Sequence, residues 1–209
     1  MKTNTPLLLR KKWQMDWNSP APAKVNLSLN IIGRRADGYH DLISFAAFTS
    51  FADQLTISDD RPTGLTIGGP FAAELQKNLQ NNLVNKTRNA VLAAGFKPQP
   101  HHIHLEKYIP ISSGLGGGSS DVAAYLRCLS NMMELNLSEK QRLFCLAGDI
   151  GADVPVCLHP GYQIMEGDGT NIRPAKIKEG HLHCALANPG NPILTATIFS
   201  VLRPQNYSS

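Results

Sequence analysis

Hydrophobic and polar positions change period several times along the chain, and each change marks an element. From Ala23 to Ile32 they alternate, with Val25, Leu27, Leu29 and Ile31 on one side and Lys24, Asn26, Ser28 and Asn30 on the other. This predicts a strand with one buried face and Lys24 on the polar one. Leu42 to Phe51, apolar and aromatic, predicts a second strand. Asp53 to Ser58 predicts a third, with Leu55 and Ile57 inward, and Leu65 to Ile67 a short fourth. The period then lengthens. Leu83, Thr87, Ala90, Val91 and Ala94 form a helical stripe, with Asn82 at the N-cap and Gly95 past the end. His101 to Lys107 alternates again around Ile103 and Leu105. Val122, Tyr125, Leu126, Leu129 and Met133 then recur at steps of three and four. Ser138 and Gln141 read as a capping box for a helix to about Ala147. Pro155 disfavours helical geometry at Val154, which puts Asp153 on a bend or strand entry. Val156 to Leu158, Tyr162 to Met165 and Cys184 to Ala187 read as short strands. Strands come first and helices cluster in the middle, so the predicted class is α+β, not a regular βαβ series.

Between the strand ending at Lys107 and the helix around Tyr125 lies Pro110-Ile111-Ser112-Ser113-Gly114-Leu115-Gly116-Gly117-Gly118-Ser119-Ser120-Asp121. Glycines just ahead of a helix let the backbone approach a ligand closely. The first turn of that helix offers unpaired N–H groups and a partial positive charge, which suits phosphate. The alternative is a flexible loop before a capped helix, and the serine hydroxyls, extra donors for phosphate, favour the phosphate loop. No Gly-Lys-Ser/Thr follows the glycines, and Ser119 stands where a dinucleotide fingerprint needs its third glycine.

Composition narrows the classes. At 209 residues, 42% hydrophobic and 17% charged, the chain can build a proper core. The net charge of +4 is matched by four basic residues, Lys2, Arg10, Lys11 and Lys12, so the remainder is near neutral. That gives no case for nucleic acid. The run Pro6 to Leu9 is too short for a signal peptide or a membrane span, and residues 1–17 are expected to form a loose tail. Cys128, Cys145, Cys157 and Cys184 show no CxxC spacing, which argues against zinc and redox pairs and for reduced thiols in a cytoplasm. His101, His102 and His104, and likewise His181 and His183, lack a carboxylate or cysteine at ligand spacing, so no metal centre is assigned.

Phosphoryl transfer asks for a phosphate cradle, a cation and a group that orients the acceptor hydroxyl. Lys24 on its strand and Asp153 in an almost uncharged run are candidates for the last two. Taken singly, each also reads as a surface lysine and a structural turn aspartate. Tyr39-His40, in a turn, could stack on a base or merely close the loop.

Together these blocks resemble the GHMP small-molecule kinases. The resemblance rests on Pro22-Ala23-Lys24-Val25-Asn26-Leu27, Arg35-Ala36-Asp37-Gly38-Tyr39-His40, the glycine loop, Gly151-Ala152-Asp153-Val154-Pro155 and, more weakly, Asn188 to Phe199. It is nearest to the branch acting on 4-diphosphocytidyl-2-C-methyl-D-erythritol, and spans roughly residues 18 to 200. It implies a ribosomal S5 domain 2-like ATP-binding domain over 18–160, then a ferredoxin-like domain from 161, incomplete by 209 because the family's late glycine-rich motif is not reached. It implies transfer of the ATP γ-phosphate to the substrate's 2-hydroxyl in non-mevalonate isoprenoid synthesis, with Lys24 and Asp153 catalytic. ATP would be held by Lys107, Pro110, Ser112, Ser113, Gly114, Leu115, Gly116, Gly117, Gly118, Ser119 and Ser120. The cytidine diphosphate substrate would meet Asn26, Tyr39, His40, Thr195 and Phe199. Mg2+ is expected with ATP, its ligands unassigned. No nucleic-acid or membrane partner is implied. The alternatives are a truncated inactive relative, another GHMP kinase acting on mevalonate or homoserine, and a non-enzymatic binder of the same fold.

Overall fold

A computed structural model describes residues 16–36, 40–178, 180, 182–188 and 190. Two long strands, β1 (Asp16–Arg34) and β2 (His40–Ser58), form an antiparallel ribbon that the rest is built around. β2 merges the strands predicted over Leu42–Phe51 and Asp53–Ser58. β3 (Gly64–Gly68) and β4 (His102–Glu106) pair in parallel, and β4 pairs with Gln54–Ser58 of β2. The other half of β2, Leu42–Ala46, pairs with β5 (Gln163–Gly167), and β5 with β6 (Asn171–Pro174). The order is β3-β4-β2-β5-β6, with β1 beside β2.

On one face pack α2 (Leu83–Ala93), α3 (Gly117–Met132) and α4 (Leu137–Ile150). A shorter α1 (Ala72–Gln76) precedes them, and α5 (Val154–Cys157) follows. Leu55 and Ile57 of β2 and Ile103 and Leu105 of β4 point into the core, as their alternation predicts. There they meet Val122, Tyr125, Leu126 and Leu129 of α3, all fully buried. α3 is the central helix, buried from Ser120 to Ser130 except at Arg127. Among the described residues no helix is long and apolar enough to cross a membrane.

Several expectations are corrected. β1 buries the side its alternation indicates only in part: Ile31 is buried, but Lys24 is 4% exposed while Leu27 and Leu29 are 43% and 44% exposed. The β1–β2 register shifts at Pro22/Lys24, Asn26/Ser28 and Ile31/Gly33, and each extra residue flips the side on which later residues fall. Asp16 and Trp17, assigned to the tail, pair with Ser58 and Ile57. The α4 capping box is Asn136 with Glu139, not Ser138 with Gln141. Val154 to Cys157 is helical, because a proline in the first turn gives up an N–H that has no helical acceptor anyway. No strand forms at Cys184–Ala187. A boundary at 160/161 would cut one sheet, since β5 and β6 extend it from β2.

Candidate active site

The glycine stretch leaves β4 and delivers the chain to α3 with three residues in left-handed backbone: Ser112 (φ 53°), Gly114 (φ 75°) and Gly116 (φ 64°). Gly116 is the N-cap. The first helical bond runs from Ser120 N to Gly116 O (2.9 Å), which leaves the amides of Gly117, Gly118 and Ser119 without helical acceptors. They front a cavity of about 440 Å³. Lys107, Pro110, Ser112 through Ser119, and Asp153 line it, with Asn82, Leu83 and Val84 at the start of α2 opposite. That volume falls in the range of small-molecule sites.

The glycines are also needed for what lies beneath. A Cβ on Gly117 would come 3.0 Å from Ile109 Cγ2 and 3.1 Å from Lys107 Nζ; one on Gly116 would come 3.3 Å from Lys24 Cβ. Lys107 Nζ donates to Asp53 Oδ2 (2.5 Å) and Asp121 Oδ2 (2.7 Å). Asp53 Oδ1 accepts the amides of Tyr108 (2.6 Å) and Ile109 (2.8 Å), which fixes where the loop departs. All three charged side chains are buried. Burial opposes the charge of Lys107, but the Asp121 and Asp53 carboxylates outweigh it and raise its pKa. Burial pushes the Asp121 carboxyl up to about 7, against the pull of Lys107 and with the repulsion of Asp53. Asp121 Oδ1 has no partner among the described residues.

Across the loop, β1 is tied on by Lys24 N donating to Leu115 O (2.8 Å). Lys24 Nζ donates to Asp153 Oδ1 (2.8 Å) and Asn26 Oδ1 (3.4 Å). The lysine side chain is 5% exposed and the aspartate 43%. A buried ammonium thus meets a half-exposed carboxylate at the cavity wall, as a buried charge requires.

Of the expected phosphate contacts, all but Ser120 line the cavity. Ser120 is fully buried and its hydroxyl donates to Pro22 O (2.8 Å), so it anchors β1 and has no room to meet a phosphate. Lys107 reaches the cavity wall only as the centre of its ion triad. His40 is buried at the far end of the β1–β2 ribbon, opposite Arg34, and does not line this cavity. Tyr39, Thr195 and Phe199 lie outside the described residues. His102 and His104 both bond Thr66 Oγ1 (2.9 and 2.8 Å), and their remaining ring nitrogens meet Pro62 O and Glu106 Oε1. Asp53 was missed by the sequence reading; its one signal is a lone carboxylate between apolar runs.

A glycine cradle ahead of a buried helix, with a lysine and an aspartate joined beside it, is an arrangement chemically suited to holding phosphate and orienting a hydroxyl. Residues 82–161 match the GHMP kinases N terminal domain. Over most of its length the chain is also similar to proteins named 4-diphosphocytidyl-2-C-methyl-D-erythritol kinase. The one from Methylobacterium radiotolerans is 43% identical over 183 residues, covering 87% of this chain and 62% of the relative. The one from Azorhizobium caulinodans is 40% identical, with the same shares of 87% and 62%. A crystal structure of 4-(cytidine 5'-diphospho)-2C-methyl-D-erythritol kinase superposes with a TM-score of 0.69 at 33% identity, covering 92% of this chain and 66% of that one. Homoserine kinase from Cytophaga hutchinsonii, 18% identical with a TM-score of 0.59, shares the fold. The chain spans about three fifths of the length of the curated relatives it matches.

Proposed function

We propose that this chain is the nucleotide-binding part of a kinase that phosphorylates the 2-hydroxyl of 4-diphosphocytidyl-2-C-methyl-D-erythritol, in the cytoplasm, on the non-mevalonate route to isoprenoid precursors. The observation that carries the reading is the 2.8 Å bond from the buried Lys24 to Asp153, which lines a cavity fronted by unbonded helix amides. When bound, ATP supplies the phosphoryl group; magnesium would arrive with it, without an assigned protein ligand. The amides of Gly117, Gly118 and Ser119 would hold the phosphate oxygens, helped by the Ser112, Ser113 and Ser119 hydroxyls. Asp153 would orient the acceptor hydroxyl and take its proton late, since a loose transition state asks little of a base. Lys24 would balance that carboxylate and screen charge on the moving group.

By their family positions, Tyr39, His40 and Phe199 would receive the cytosine, with Asn26 and Thr195 as secondary contacts. The S5 domain 2-like unit would then run to about Pro174, where β6 ends, before a ferredoxin-like second domain. The test is ATP consumption with and without the cytidine diphosphate substrate, on this chain and on a version extended to the relatives' length. Substrate-dependent turnover is expected. Asp153→Asn should lower it about 10²–10⁴-fold while ATP affinity holds within about threefold. Turnover that ignores the substrate, or survives Asp153→Asn, overturns the reading.

A further inference from the structure

Lys24 and Asp153 stand 129 positions apart, on elements that do not pair with each other. Asp153 caps a helix of four residues and makes no capping bond of its own. Val154, Val156 and Cys157 are buried and hold α5 against the core. Apolar burial is non-directional, so it resists lifting α5 away far more than sliding it along its axis. Something directional must set where the N-terminal end of α5 comes to rest.

Arg127, on α3, reaches both elements. Its Nη1 donates to Cys157 O (2.7 Å) at the C-terminal end of α5, with Leu158 O at 3.5 Å. Its Nη2 donates to Pro20 O (2.6 Å) and its Nε to Ser19 Oγ (3.1 Å), both on β1. The last carbonyls of a helix lack helical donors, and a cation suits that end. Pro20 has no N–H to give β2, so its carbonyl too faces away from the ladder and needs an outside donor. A guanidinium offers five N–H groups in a rigid fork and can serve three acceptors at once, where an ammonium is a mobile point charge. The two ends of α5 are therefore both tied to β1: one through Arg127 to Ser19 and Pro20, the other through Asp153 to Lys24.

We propose that Arg127 is a positioning residue for the Lys24–Asp153 pair, registering α5 against β1 from the end remote from the cavity. Its importance for turnover rests on the kinase reading; its geometric role does not. A loss of about 1 Å in such registration is commonly worth about 10²-fold in rate. Arg127→Met keeps the apolar stem and removes all five donors, and Arg127→Lys keeps the charge. The control is Arg142→Met, because Arg142 donates to Ala94 O and lies over the Phe96 ring, away from the pair.

Two readouts separate the claims. The first is the carboxyl carbon resonance of Asp153, assigned with Asp153→Asn. It should move in Arg127→Met and, less far, in Arg127→Lys, and stay put in Arg142→Met. The second is steady-state turnover: kcat should fall about 10²-fold in Arg127→Met with KM for ATP within about threefold, and Arg127→Lys should recover part of it. A resonance unmoved in both Arg127 variants overturns the proposal, as does a rise in KM for ATP with kcat intact. Should the unaltered protein phosphorylate nothing, the kinase reading falls, and the resonance still decides the role of Arg127. Should Arg127→Met not fold, Arg127→Lys carries the same decision.

Discussion

Replacing Lys107 by Met would remove the cation that two buried carboxylates share. Lys107, Asp53 and Asp121 are 3%, 0% and 3% exposed, so water cannot stand in for the ammonium. Asp53 would keep the Tyr108 and Ile109 amides. Asp121 would lose its cation and keep Asp53 as a carboxyl neighbour, with its Oδ1 already without a partner among the described residues. Removing one member of a buried ion pair costs about 3–5 kcal/mol. Since Asp121 takes up a proton near pH 7, the lower half of that range is expected at neutral pH. In a chain of this size each kcal/mol shifts the midpoint by about 2–4 °C, so Tm should fall by about 6–16 °C. Calorimetry at pH 7.5, backed by urea unfolding to check that m is unchanged, measures it. Adding Asp121→Asn to Lys107→Met leaves Asp53 as the single carboxylate of the former triad and should recover about 1–2 kcal/mol, the usual size of coupling between touching residues. A single variant within about 1 kcal/mol of the parent, or a double variant that merely sums the two losses, would refute the account of the triad.

Two further outcomes follow from the same site. The folded-state pKa of Asp121, about 7, lies above its ordinary 3.8, so its contribution to stability is full at acid pH and is lost as pH rises through 7. Asp121→Asn should therefore gain stability relative to the parent between pH 5 and pH 8, followed by thermal melts; a difference flat across that range counts against it. Gly116→Ala and Gly114→Ala both place a side chain at positive φ, at about 1–2 kcal/mol each. Only the Gly116 methyl meets a neighbour, Lys24 Cβ at 3.3 Å, so ATP titration should weaken more for Gly116→Ala; equal weakening would refute the close packing of loop and lysine.

Local signals carried the sequence reading where the physics is local. Asn82 caps α2 through its own side chain, Gly95 ends it with φ 83°, and β4 alternates as the sheet demands. The glycine loop's place at a helix N-terminus was legible because the glycines stand directly ahead of a helical period. The Lys24–Asp153 meeting came only through family resemblance, since no periodicity links residues so far apart. β1 misled because alternation reports sides only while register is unbroken, and bulges leave no mark in composition. Asp53 and Arg127 were invisible for a further reason: each is a lone charge whose meaning depends on backbone groups supplied by distant elements. Val154 was misread because Pro155 disfavours helix before it in general, yet is welcome in a first turn.

The outer rim of β1 carries Pro20 and Pro22, each lacking an N–H and each with its carbonyl already claimed, by Arg127 and Ser120. A stray strand from another molecule would find neither donors nor open acceptors there. The anchorage that aligns the site thus also shields this end of the sheet from growing into an aggregate, and a change that frees those carbonyls would expose acceptors for such growth as well as loosen the site.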